Sequence, residues 1–120
     1  MPKNKGKNKD KIKKDEKYPF VSICTPTFNR RPFFPIIIKC FESQNYPKDK
    51  IEWLICDDGT DKIEDLVINI PQVKYFKYEE KLTLGKKRNI LNDQAKGEII
   101  IYMDDDDFYP SDRISHAVDK

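Results

Sequence analysis

Two stretches of this 120-residue chain concentrate acid at the ends of apolar runs. "MDDDDFY" sets Asp104 to Asp107 directly after "EIIIY", and "CDDGT" sets Asp57 and Asp58 directly after "IEWLI". Two carboxylates roughly 5 Å apart repel by about 3 kcal/mol at an effective dielectric near 20. Such crowding is stable in a fully wet turn, or where a cation sits among the oxygens. Carboxylate oxygens are hard ligands, suited to magnesium or manganese rather than zinc. An ion held by only one or two of them keeps positions open for phosphate oxygens. Bridging two phosphates, it would neutralise the charge that grows on a departing nucleoside diphosphate.

These residues can act together only if the chain brings them to one place. "FVSICTPT" (Phe20 to Thr27) reads as a β-rich run, and a helix follows from about Phe34, with Phe34, Ile37, Ile38 and Phe41 at helical spacing. "IEWLIC" (Ile51 to Cys56) is a second strand. Asp61 and Glu64 suggest a capping box for a short helix over Lys62 to Asn69. "VKYFKY" alternates as a third strand, Gly85 to Ala95 reads as a helix with Gly97 as its stop, and "EIIIYM" is a fourth strand. Ser111 or Asp112 caps a last helix. Strands alternating with helices imply an α/β fold of about four mainly parallel strands with helical crossovers. In such a sheet ligands collect outside the carboxyl ends of the strands. Three exits, "TPTFNR", "CDDGT" and "MDDDDFY", would open onto one edge, and two of them are acidic.

The rest of the composition narrows the chemistry. Residues 1 to 18 hold eight lysines against three acids, leaving 15 basic and 18 acidic groups in residues 19 to 120, a net of −3 there. The first 18 residues have almost nothing apolar to bury and are expected to be a disordered, lysine-rich tail. The tail carries no interleaved aromatics that would stack on bases, and the acidic remainder argues against specific nucleic-acid binding. No segment reads as a signal peptide or a membrane span, and a cytoplasmic location is expected. Cys24, Cys40 and Cys56 are widely spaced in apolar stretches, and His116 is the single histidine, so a structural zinc site is not expected. There is no P-loop, no GxGxxG and no Ser-His-Asp arrangement.

Four blocks, "VSICTPTFNR", "IEWLICDDGTD", "GKKRN" and "GEIIIYMDDDDFYPSDR", in that order and spacing, resemble the N-terminal, nucleotide-sugar-binding half of a family 2 glycosyltransferase. The resemblance covers residues 19 to 120 and implies a Rossmann-like GT-A half-domain. It implies that Pro26, Thr27, Phe28, Asn29 and Arg30 wrap the base and ribose of the nucleotide. It implies that the acidic pair reads the base through a carboxylate accepting from a ring N–H, with Asp58 the better placed and Asp57 beside it. Arg88 offers a planar fork to a phosphate or ribose oxygen, whereas Lys86 and Lys87 read as solvated helix charges. The DxD element falls on Asp104, Asp105 and Asp106. Asp106 is the expected metal ligand, and Asp104 or Asp105 contacts the ribose or ligates through water. Four aspartates in a row satisfy DxD twice, so the register stays open, and Asp107 can simply be solvated.

The resemblance implies a divalent cofactor, manganese or magnesium, and a UDP-sugar donor. The implied reaction is inverting transfer of the sugar to an acceptor hydroxyl, with a general base supplied beyond the DxD strand. About fourteen residues follow Asp106, so base and acceptor site are expected to be missing from this chain. The alternative is a non-catalytic nucleotide-sugar-binding fragment or module. "EIIIYM" is apolar on both faces, as in an interior strand. Without later elements to cover it, the chain is expected to self-associate or to take a partner chain.

Overall fold

The computed structural model describes residues 18–104 and 109–118. The lysine-rich tail through residue 17 and the stretch from Asp105 to Phe108 lie outside the described residues. Four strands, β1 (Val21–Thr27), β2 (Ile51–Asp57), β3 (Val73–Lys77) and β4 (Ile99–Tyr102), alternate with helices α1 (Phe34–Glu42), α2 (Glu64–Val67), α3 (Leu84–Gln94) and α4 (Arg113–Val118). The strands form one sheet in the order β3-β2-β1-β4, and every pairing is parallel. This is the Rossmann-like arrangement expected from the alternation, since parallel neighbours require crossovers.

β1 and β2 are buried at every position, as central parallel strands must be. Their alternate side chains feed two cores. On one face Val21, Ile23, Trp53, Ile55 and Met103 pack with Phe34, Ile37 and Phe41 of α1 and Ile114 of α4. On the other, Cys24, Leu54 and Cys56 pack with Leu91 of α3. Trp53 stacks on Phe41 at 4.5 Å and on Phe34 at 6.1 Å between ring centroids. Its indole N–H donates to Thr25 Oγ1 (2.8 Å), which donates onward to the Met103 carbonyl (2.7 Å). That relay ties β2, β1 and the end of β4 together, and it satisfies two polar groups inside the core.

At the opposite end of the sheet Glu52 is buried yet fully partnered. It accepts from Ser22 Oγ (2.6 Å), the Lys96 amide (2.7 Å) and Lys74 Nζ (2.7 Å), and Ser22 Oγ accepts in turn from the Gly97 amide. Gly97 is therefore not a helix stop. α3 already ends at Gln94, and a Cβ on Gly97 would lie 2.5 Å from the Ser22 amide nitrogen. Glycine is needed there because the chain presses against β1.

Two further details differ. The capping box is not formed: α2 is a single turn capped by Ile63 without a side-chain bond, because Asp61 pairs with Arg31 and Glu64 with Lys77. Ile38 is half-buried, and Cys40 takes the core position on α1 instead. β4, apolar on both faces, pairs only with β1 among the described residues, and Ile100 is 40% exposed, the open edge expected for this strand.

Candidate functional site

Because all strands run the same way, the exits of β1, β2 and β4 share one edge of the sheet. The β1 exit is built first. Pro26 and Thr27 are the last residues of the strand, and both are buried. Phe28 follows half-buried, with Lys81 Nζ 4.2 Å from its ring centroid, a cation–π distance. Asn29 has φ 54, a left-handed conformation that asparagine tolerates better than most residues. Its Oδ1 accepts from the Asp61 amide (2.8 Å) and Thr60 Oγ1 (3.3 Å), so the second loop holds the first. Gly59 has no room for a side chain, since a Cβ would sit 2.7 Å from the Asn29 amide nitrogen. Arg30 is exposed, its guanidinium 5.7 Å from the Phe33 ring centroid.

Asp57 and Asp58 are both buried, but their partners differ. Asp57 accepts from the Gly59 amide (2.9 Å), the Ile63 amide (3.0 Å) and the Tyr75 hydroxyl (2.5 Å). Its oxygens hold the loop, and burial together with that carboxylate pushes the Tyr75 phenol well up. Asp58 accepts from the Leu82 amide (2.5 Å) and from Lys87 Nζ (2.9 Å). Burial alone would raise its carboxyl, but the Leu82 N–H and the Lys87 ammonium carry it below the ordinary carboxylate range. Lys87, read above as a solvated charge, is 7% exposed and reaches under the cleft, 3.5 Å from the Thr27 carbonyl as well. That reading is corrected: Lys87 lies one helical position from Arg88 but on the inner face of α3.

Arg88 lies over the Tyr102 ring at 4.7 Å, and its Nη2 is 3.8 Å from Asp104 Oδ1. Both partners are part-exposed, so the long pair is a weak, screened attraction. Two buried polar atoms lack a hydrogen-bond partner among the described residues, and both belong to this edge: Thr27 Oγ1 and Arg88 Nε. Asp104 is fixed by its backbone, which donates to the Tyr109 hydroxyl (2.8 Å). Tyr109 donates its amide to Cys40 Sγ, and Gln44 bonds the Pro110 carbonyl and the Ile114 amide, so α1 anchors the chain that returns from β4. Asp105 and Asp106 lie outside the described residues. Among the described residues no three His, Cys, Asp or Glu side chains could close around a metal ion. Among the described residues of the β4 exit, Asp104 offers the hard oxygen. A single carboxylate fits magnesium-type ions, which keep several waters and rely on substrate phosphates for other ligands.

The site is thus assembled from predicted residues (Pro26 to Asn29, Asp57, Asp58, Arg88 and Asp104) and from others that sequence reading missed. Arg31, Tyr75 and Lys81 fall outside the four blocks, and Lys87 and Tyr109 lie within them without a role that the sequence pattern marks; their signal is tertiary. Arg31 clamps the first loop to Asp61 (3.0 Å) of the second and to Asp65 (2.9 Å) of α2, and that pairing holds the Asp65 carboxyl below its ordinary range.

A parallel α/β sheet in the order β3-β2-β1-β4 with helical crossovers is a Rossmann-like fold of the GT-A kind. The chain belongs to glycosyl transferase family 2, whose model matches residues 22–120. It is 28% identical over 109 residues to the poly(ribitol-phosphate) beta-N-acetylglucosaminyltransferase TarS of Staphylococcus aureus, covering 80% of this chain and 18% of that protein. The crystal structure of TarS 1–349 in complex with UDP-GlcNAc superposes with a TM-score of 0.76 at 27% identity, over 83% of this chain and 30% of that one. A Campylobacter jejuni GalNAc(5)-diNAcBac-PP-undecaprenol beta-1,3-glucosyltransferase is 34% identical over 110 residues, 85% of this chain and 34% of that protein. A mannosyltransferase from Pyrobaculum calidifontis, in complex with GDP-Man and Mn2+, gives a TM-score of 0.73 at 25% identity, over 83% of this chain and 31% of that one. The chain therefore spans between 18% and 34% of the length of these relatives.

Proposed function

We propose that residues 19 to 120 bind the nucleotide-diphosphate sugar, a UDP-sugar, for inverting transfer to an acceptor hydroxyl. The observation that carries this reading is the pair of buried, unpartnered polar atoms at the strand exits, Thr27 Oγ1 and Arg88 Nε. Buried polar groups are otherwise almost always bonded, and a ligand rich in phosphate and ribose oxygens satisfies both. The structural relatives in complex with UDP-GlcNAc and GDP-Man support the same ligand class.

In this reading the residues divide the ligand. Phe28, Asn29 and Arg30 border the base and ribose, and Asp58 accepts from the base. Asp57 holds the loop on which Asp58 sits. Arg88, already charged and only weakly held by Asp104, turns its fork to a phosphate or ribose oxygen. Asp104, or Asp105 beside it, contacts the ribose, and Asp106 with Asp104 would hold a magnesium or manganese ion. When bound, that ion would neutralise charge on the diphosphate. Donor binding belongs to these residues, and the whole transfer reaction to the longer architecture of the relatives. β4, with one side unpaired among the described residues, is where a further strand or a partner chain would add.

Calorimetry with UDP tests the assignment. Binding is expected with manganese present and at least tenfold weaker, about 1.4 kcal/mol, in Asp106→Asn. Unchanged binding in EDTA would remove the metal from the reading, and no binding of any nucleoside diphosphate would remove the site.

A further inference from the structure

A lysine whose side chain is nine-tenths buried, as that of Lys87 is, is rare unless something holds it there. Lys87 leaves the solvated face of α3 to place Nζ 2.9 Å from Asp58 Oδ1, beneath the exits of β1 and β2. The Asp58 side chain is wholly buried in that pair. Its second oxygen takes the Leu82 amide, so two donors from two segments fix the plane of the carboxylate. Lys87 Nζ also lies 5.9 Å from the Phe28 ring centroid and 3.5 Å from the Thr27 carbonyl. One ammonium therefore touches three of the residues assigned to the nucleotide.

The chemical consequence concerns which proton Asp58 can share. A carboxylate accepts and cannot donate; a carboxylic acid can donate. Uracil and guanine present a ring N–H at the edge that is read by pairing, whereas cytosine and adenine present a lone pair there. Resting on the reading of this cleft as a nucleotide site, we propose that Lys87 is a specificity-determining positioning residue, which keeps Asp58 anionic and oriented so that the site prefers bases bearing a ring N–H. The buried pair resists loss of charge because removing the ammonium would strand a desolvated carboxylate. Lys87 itself touches no ligand in this scheme; it acts through Asp58.

The test compares UDP with CDP, which share the diphosphate and differ at the ring nitrogen. Calorimetry on the full chain with manganese should show wild type favouring UDP by at least tenfold. Lys87→Gln keeps a donor near Asp58 but removes the charge. It should lose most of that preference, by about fivefold or more, with CDP binding little changed. Lys87→Arg should restore it. A glutamine variant that keeps the UDP preference, or an arginine variant no more selective than glutamine, would overturn the proposal. If Lys87→Gln does not fold, Asp58→Asn replaces it, leaving an amide that can donate to cytosine. Undiminished discrimination in that variant would overturn the proposal equally. Wild type binding both nucleotides alike would refute the inference and leave the nucleotide site standing; wild type binding neither would refute the site itself.

Discussion

Asp57 accepts hydrogen bonds from the Gly59 and Ile63 amides and the Tyr75 hydroxyl, whereas Asp58, the next residue, accepts from Leu82 and Lys87. The difference follows from the pleat: neighbours at a strand end face opposite sides of the sheet. Asp57 faces the α2 side and braces the loop, and Asp58 faces α3. Asp57→Ala leaves two amides and a phenol without their acceptor. It is expected to destabilise the fold by about 1–3 kcal/mol in urea unfolding monitored by circular dichroism. Asp57→Asn should cost less, because an amide oxygen replaces part of the acceptor capacity. Equal stability of wild type and the alanine variant would show that the bracing contacts contribute nothing. The acidic pair was legible in the sequence as a unit. Its division, Asp57 bracing the loop and Asp58 pairing with Lys87, was not, since the partners sit 18 and 29 residues away, on β3 and α3.

At the scale of elements, the two central strands and α1 followed from local pattern, because burial on both faces leaves a continuous apolar run and α1 repeats at helical spacing. The short α2 did not. Its acids, Asp61 and Glu64, had partners across the fold in Arg31 and Lys77, and those pairings outcompeted a local cap. Gly97 shows the same limit: glycine after a helix suggests a stop, yet here it serves the approach to β1. Gly97→Ala drives a Cβ into the Ser22 amide and toward the Phe20 carbonyl, both backbone atoms that cannot swing aside. We expect a loss of several degrees in thermal midpoint, roughly 1–3 kcal/mol as for other overpacked sites. Gly85→Ala is the control. A Cβ there meets nothing within 4 Å, and the helical position favours alanine. A Gly97 variant as stable as the Gly85 variant would show that the contact relaxes freely.

For the molecule as a whole, buried carboxylates couple folding to pH. Burial alone would raise Glu52, but Lys74, Ser22 and the Lys96 amide bring its folded pKa below the ordinary value, and Asp58 is lowered likewise. A depressed folded pKa contributes stability that is present above the unfolded pKa, near 4, and is lost as pH falls through the folded value. Urea midpoints should therefore hold from pH 7 to about 5 and fall below pH 4. Glu52→Gln, weaker at neutral pH, should show a shallower fall; an identical slope would exclude Glu52 as a source. The order β3-β2-β1-β4 has one more consequence, for the time course of folding. β1 lies between a strand that follows after one crossover and a strand that arrives last, so the Thr25–Met103 bond spans 78 residues. Such separations slow folding, because chain closure precedes the contacts that reward it. The Asp58 and Lys87 side of the cleft can form while β4 is still unpaired, whereas the Asp104 side exists only once β4 has docked on β1. During synthesis the nascent chain would thus acquire the Asp58–Lys87 side of the cleft before the Asp104 side.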